Sequence, residues 1–312
     1  MFDILQYAFI QNALLAGSIV AVIAAIMGYF LIVRGLTFAG HALPNIGFAG
    51  AAGAVLLGLD PVIGLFAFTI GAGIGIGLLG KDTNERDTSI GIIMTFALGL
   101  GLLFLTLYSG YAELVYNVLF GQIIGINQQD VLITATASTL TLFLMVLIFR
   151  PLLFSSFDPE VAQARGIPVR LLSIAFLVLL AITVSLAVQV IGALLVFVLL
   201  VGPAATATRI AKNPFRALTL AIVLGVSYTC LGIYLAAENG VWPVSFFIAT
   251  ISFGIYLPVR LLSPLWSGRH NRQNIQCMCG SIREEHSLSM QHTVNAPETY
   301  VPERLSGSSR PV

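Results

Sequence analysis

The chain has 312 residues, of which 57% are hydrophobic and only 9% charged, against roughly a quarter charged in an ordinary soluble domain. Too few charges remain to cover the outside of a soluble fold of this size, so the bilayer is the expected solvent for most of the chain. A formal net charge of +1 supplies no basic field for nucleic acid. The three cysteines, Cys230, Cys277 and Cys279, are too few and too scattered for a secreted disulfide framework.

No Lys or Arg precedes Arg34, so the charged region of a cleavable signal is missing and the first apolar run is expected to remain as a membrane helix. Runs near the length needed to cross about 30 Å of hydrocarbon lie at 12–33, 37–57, 61–80, 88–108, 131–150, 171–189, 192–209, 218–236 and 241–262. They predict an all-α polytopic membrane protein of eight to ten transmembrane helices, nine in the working division. Around Val190-Ile191-Gly192 the sequence leaves a hairpin and a broken helix both open.

Charge placement tests that division. With nine alternating spans, the basic residues Arg34, Lys81, Arg86, Arg150, Arg165, Arg170, Arg209, Lys212, Arg216 and those from Arg260 onward all fall on one side. The opposite loops carry Asp60, Glu113, Asp130 and Glu238 and no basic residue. Lys and Arg mark cytoplasmic loops, so the N-terminus is expected outside and the C-terminal segment inside. Residues 1–264 form the predicted membrane domain. Residues 265–312 are rich in Ser, Arg, Glu, His and Gln without apolar periodicity, and are expected to be a disordered cytoplasmic tail.

Glycines recur within the spans, as in Gly71, Gly73, Gly75 and Gly77, where small residues allow helices to approach closely. Gly75-x-Gly77-x-x-Gly80 resembles a dinucleotide fingerprint, and Gly75-x-x-x-x-Gly80-Lys81 nearly matches a P-loop. Both need a preceding strand, and the second needs Ser or Thr after its Lys. A membrane helix precedes and Asp82 follows, which leaves the chain without an ATP site of its own. No nucleophile elbow and no zinc-protease motif occurs in the spans either, so the chain is not expected to be an enzyme.

Polar groups at membrane depth are costly and by default face a cavity or a partner. The richest such stretch runs Thr37-Phe38-Ala39-Gly40-His41-Ala42-Leu43-Pro44-Asn45. His41 and Asn45 are four apart and share one helix face, and Pro44 disturbs the local backbone. Imidazole suits zinc, iron, copper and nickel. His41 either lines a pathway or serves as a hydrogen-bonded packing residue, and its depth favours the pathway. Gln189, near a span end, is read as interfacial.

On the cytoplasmic side, Phe157-Asp158-Pro159-Glu160-Val161-Ala162-Gln163-Ala164-Arg165-Gly166-Ile167-Pro168 reads as a short capped helix. Asp158 can N-cap it, Pro159 suits its first position and Gly166 supplies the stop. A plain connector needs only a few residues, so this helix looks like a docking element for another subunit.

The segment FDPEVAQARGIPV, followed by VIGALLVFVLLVGPAATATRIA, resembles the permease subunits of the bacterial zinc/manganese/iron ABC import family. RDTSIGIIMTFALGLGLL, LVYNVLFGQIIGI and the register of RGLTFAGHALPNIGFAG extend the resemblance over roughly residues 10–260. It implies a homodimeric ABC importer permease in the bacterial inner membrane, carrying a divalent transition metal (zinc, manganese or iron). It further implies separate cytoplasmic ATPase subunits docked on residues 157–168 and an extracellular or periplasmic solute-binding protein. On that resemblance Asp158, Pro159, Glu160, Arg165, Gly166 and Pro168 form the ATPase-coupling loop, and His41 and Asn45 the metal pathway. No covalently bound cofactor is expected; the metal is cargo.

One departure stands out. The family's early motif reads G-D-A-x-x-H-A-x-L-P-G, its Asp and His contacting the metal. Aligned on Gly40 and Ala42, this chain has His41 at the Asp position, Asn45 at the His position and Ala49 at the Pro position. The site is thereby less anionic and softer. Two copies would offer two imidazoles and two amide oxygens at a dimer axis. The alternatives are a related permease carrying a metal chelate or organic cofactor, and a membrane scaffold without transport. In the tail, Cys277-x-Cys279 with His286 and His292 has metal-binding chemistry, but its spacing matches no established closed site.

Overall fold

The computed structural model describes residues 8–79, 83–108, 118–119, 121, 127–211, 213–239 and 242–262. The two-residue remnant at 118–119 apart, ten helices account for nearly all of them: α1 (Ala8–Val33), α2 (Thr37–Leu56), α3 (Pro61–Leu78), α4 (Thr83–Leu107), α5 (Gln128–Phe157), the short α6 (Pro159–Ala164), α7 (Val169–Ile191), α8 (Ala193–Ile210), α9 (Pro214–Asn239) and α10 (Val244–Leu262). The nine long ones coincide with the nine predicted apolar runs. Met1–Arg260 form one compact unit. The tail reading, including Cys277, Cys279, His286 and His292, lies outside the described residues, as do Gly80, Lys81 and Asp82.

Eight of the nine are long and apolar enough to cross a bilayer. The exception is α2, whose small and polar residues lower its hydropathy, yet 14 of its 20 residues are buried. Its neighbours α3, α4 and α8 cover it, so it needs less apolar surface of its own. α5 runs through Pro151 to Phe157, seven residues past the end expected at Arg150. A proline lacks a donor for one carbonyl and bends a helix without having to end it.

Residue pairings fix the direction of each helix. Gly50 meets Gly64 and Gly47 meets Thr69, so α2 and α3 are antiparallel. Gly77 meets Ile174 while Gly73 meets Leu177, which sets α7 antiparallel to α3. Gly91 against Phe38 and Gly101 against Phe48 make α4 parallel to α2. Gly17 touches Ile233 while Gly225 lies near Ala25, so α9 runs opposite to α1. α5 runs with α1, because Phe149 meets Phe30 and Ser155 meets Arg34. α8 and α10 share a direction through Gly202 against Ser252 and Arg209 over Tyr256. The nine helices therefore alternate, and the described arginines at 34, 86, 150, 165, 170, 209, 216 and 260 gather at one end of the bundle. Asp60, Asp130 and Glu238 gather at the other.

α1 is the centre of the bundle, packed on α9, α8, α5 and α7. Fifteen of its residues are buried, with Phe30 edge-on to Phe149 at 5.4 Å. Two crossings are especially close: a Cβ on Gly28 of α1 would lie 1.8 Å from the Leu200 carbonyl oxygen of α8, and one on Gly50 of α2 would lie 2.2 Å from the Gly64 carbonyl oxygen of α3. In the glycine-rich run of α3, Gly73 and Gly77 press on α7, whereas Gly71 and Gly75 meet nothing within 4 Å. The close-packing expectation holds for one face of that run. Between α3 and α7 the Thr69 and Ser185 hydroxyls share a buried hydrogen bond of 2.6 Å.

The break left open at Val190–Gly192 is a reversal. Gly192 alone separates α7 from α8, at φ 94° and ψ 150°. Only glycine adopts that region without strain. The two helices then splay, α7 against α3 and α8 against α1, α9 and α2.

Candidate functional site

α2 places its polar cluster on an otherwise buried helix. Between residues 37 and 56, His41 is the only exposed residue. Its ring stands edge-on to Phe197 of α8, with centroids 5.0 Å apart. Asn45, one turn further on, donates from Nδ2 to the His41 backbone carbonyl at 2.8 Å and lies 3.7 Å from the Met94 sulfur of α4. Pro44 sits inside the continuous helix and offers no N–H to the carbonyl four residues back.

The structure brings His41 and Asn45 to one face, as their spacing predicts, and adds two neighbours from distant sequence. Phe197 and Met94 were missed because nothing in their local sequence separates them from ordinary core residues. The donor chemistry is an imidazole, an amide oxygen and a thioether. Such a set is softer than a carboxylate pair. Among the described residues no three His, Cys, Asp or Glu side chains come together as a metal cluster. One chain thus presents a partial ligand set around an accessible imidazole, suited to passing contact with a cation or to completion by a second copy.

The second element is α6. Asp158 sits at its N-cap with an extended backbone, and its Oδ1 accepts from the Val161 N–H at 3.0 Å. Pro159 takes the first helical position. At the far end the Gly166 N–H bonds the Gln163 carbonyl at 3.0 Å and the Ile167 N–H bonds the Ala162 carbonyl at 3.1 Å. That paired closure requires the positive φ of Gly166, 81°. Ala162 is fully buried against the bundle, and the Arg165 guanidinium lies over the Phe154 ring at 5.3 Å. Asp158, Glu160, Val161 and Gln163 are exposed. Pro168 caps the start of α7. A small rigid helix is thus bolted by one face to α5 and presents the other at the arginine-rich end.

Sequence reasoning also missed how Arg34 is held. The turn after α1 closes with the Leu36 N–H on the Leu31 carbonyl at 2.8 Å. Arg34 then reaches inward, donating to the Ser155 hydroxyl at 3.2 Å and to the Ser173 hydroxyl. The Arg86 guanidinium donates to the Gly35 carbonyl at 3.3 Å. Burial, and secondly the charge of Arg86, hold the Arg34 guanidinium below its ordinary pKa.

Comparison with known proteins follows the same lines. The model of the ABC 3 transport family matches residues 6–263. The manganese transport system membrane protein MntC of Halalkalibacterium halodurans is 32% identical over 233 residues, 74% of this chain and 80% of the relative. The manganese import system permease protein ScaB of Streptococcus gordonii is 31% identical over 257 residues, 80% of this chain and 92% of the relative. Among solved structures, PsaBC from Streptococcus pneumoniae in complex with Fab superposes with a TM-score of 0.70 at 30% identity, covering 82% of this chain and 92% of the other. An ABC transporter in an inward-facing conformation gives a TM-score of 0.61 at 20% identity, over 80% and 85% of the two chains, a likeness of fold alone.

Proposed function

The chain belongs to the ABC 3 transport family, and from that premise we propose that it is the membrane-spanning permease subunit of an ATP-binding cassette importer for a divalent transition metal. The observation that carries the reading is the match across nearly the whole bundle to permeases named for manganese. It is a transport subunit with several membrane passes.

In the proposed working complex two copies of the chain enclose the pathway, and two cytoplasmic ATPase subunits dock on α6. A solute-binding protein delivers the ion to the opposite end. The Lys/Arg asymmetry supports an arrangement with the N-terminus outside and the tail at 265–312 inside the cell. ATP-driven closure of the ATPase pair would move Asp158, Pro159, Glu160 and Arg165. Because Ala162 is buried against the bundle, that movement reaches α5 and α7. The helices then expose His41 and Asn45 to alternate sides.

The exposed imidazole of His41 supports its place on the pathway, since an imidazole facing hydrocarbon would be costly. The ion sheds water there and exchanges it for imidazole and amide donors. Such a site holds a cation weakly enough to release it, as conduction requires.

The test is elemental accumulation in cells that lack their own zinc and manganese importers. The cells express this permease with its ATPase and binding-protein partners. Gain of one metal that disappears when the ATPase is inactivated supports the proposal. No gain of any free metal refutes it.

A further inference from the structure

A cavity of about 590 Å³ opens at the arginine-rich end of the bundle, outside the His41 region and behind α6. Its walls come from the ends of α1, α3 and α5, the start of α4 and α7, and the inner edge of α6. Among the described residues three arginines line it, Arg34, Arg86 and Arg170, against a single lining carboxylate, Glu160. Arg34 is anchored by serine hydroxyls and stacked over the Phe176 ring at 5.9 Å. No carboxylate among the described residues lies within ion-pair distance of it. The ion pair found among those residues, Arg86 to Asp87 at 3.9 Å, is too long for a hydrogen bond, and the buried Nε of Arg86 has no acceptor.

Two half-buried cations facing one another are unfavourable unless an anion joins them. Guanidiniums bind phosphate through paired N–H donors, and the hydroxyls of Ser155, Ser156 and Ser173 add further polar groups to the wall. The same cavity continues into apolar residues, Val33, Leu36, Ile76 and Leu177. A wall that is basic at the mouth and apolar toward the bundle fits an amphiphile better than a free ion.

We infer that this cavity is a binding site for a phosphate oxyanion, supplied by the headgroup of an anionic phospholipid, seated between Arg34, Arg86 and Arg170 directly behind α6. Basic pockets between membrane helices are suited to such headgroups. Pro159, Glu160 and Gln163 of α6 line the site, so an occupied cavity stiffens the element proposed to receive the ATPase stroke.

The test uses the full-length permease with its ATPase subunits in nanodiscs of phosphatidylcholine alone, or of equal parts phosphatidylcholine and phosphatidylglycerol. Native mass spectrometry of the released protein reads retained lipid. The expected result is selective retention of phosphatidylglycerol, weakened about tenfold by Arg34→Gln or Arg86→Gln. Arg216→Gln, at the same end but outside the cavity, leaves it unchanged. Arg34→Lys, which keeps the charge and loses the fork, falls between. If Arg34→Gln fails to assemble, the exposed Arg170→Gln gives the same comparison with the half-buried anchors intact. A parallel arm adds inorganic phosphate to the lipid-free, detergent-solubilised protein. Thermal protection of the wild type and not of Arg86→Gln, without lipid retention, supports the oxyanion site and assigns it a soluble source. Equal retention of both lipids, or equal phosphatidylglycerol retention by wild type and variants with no protection by phosphate, overturns the inference. None of these readouts involves metal transport, so the inference and the proposed function fail separately.

Discussion

Replacing Gly50 by alanine sets one methyl group against the backbone of α3. The new Cβ would lie 2.2 Å from the Gly64 carbonyl oxygen and 2.6 Å from the Phe68 Cβ, where ordinary contact begins at 3.4 Å. A carbonyl cannot rotate away as a side chain can, so α2 and α3 must part by about an ångström in a close-packed interior. Overpacking of this kind costs about 1–3 kcal/mol. Gly75, in the last turn of α3, provides the control, because nothing lies within 4 Å of a Cβ built there. Alanine at that position removes a flexible residue from a helix and is worth up to about 1 kcal/mol in the stabilising direction. The two substitutions add the same single carbon and are expected to shift stability in opposite senses. Thermal unfolding of the purified permease in one detergent measures both. The separation of α2 from α3 also tilts the helix that carries His41, so metal uptake should fall with Gly50→Ala and persist with Gly75→Ala. A Gly50→Ala protein as stable as the wild type would refute the close crossing and the direction assigned to α3.

At the pathway, His41→Ala should reduce uptake at least several-fold while leaving the amount of assembled complex unchanged; unaltered uptake would remove His41 from the pathway. The paired exchange His41→Asp with Asn45→His restores the family's carboxylate–imidazole order and should move selectivity toward manganese, measured by competition between manganese and zinc. Asp158→Ala removes the N-cap of α6 at a cost of about 1 kcal/mol, which should leave the ATPase subunits bound but lower transport per ATP hydrolysed. Gly166→Ala forces a side chain into positive φ, at about 1–2 kcal/mol, and should show the same uncoupling.

Most of the bundle is legible in the sequence because lipid imposes a one-dimensional rule. Each span must be apolar and about as long as the bilayer is thick, so α1, α3, α7 and α9 announce themselves. α2 is the instructive case. It falls short of the hydropathy of the other spans, yet its apolar run at 37–57 was still readable, and the charge alternation around Arg34 and Asp60 agreed with it. The apolar run ends at the charged Arg150, whereas α5 continues through Pro151 to Phe157, because a proline bends a helix without having to end it. The α6 motif was legible to the residue, since caps and glycine stops act over three or four positions. Phe197 beside His41, Met94 beside Asn45 and the Arg34–Ser155–Ser173 cluster were not, because each depends on helices far apart in the chain. No local pattern encodes such meetings.

The one-residue junction at Gly192 also constrains how the protein is made. α7 and α8 have no loop between them that could wait in water while one helix inserts ahead of the other. The pair must cross into the bilayer as a single folded-back unit, with Gly192 leading as its tip. Insertions that many surface loops tolerate, such as an epitope or a protease site, have no room there. A tag placed at residue 192 should therefore block biogenesis itself, seen as loss of membrane-integrated protein during synthesis, rather than merely slow the finished transporter.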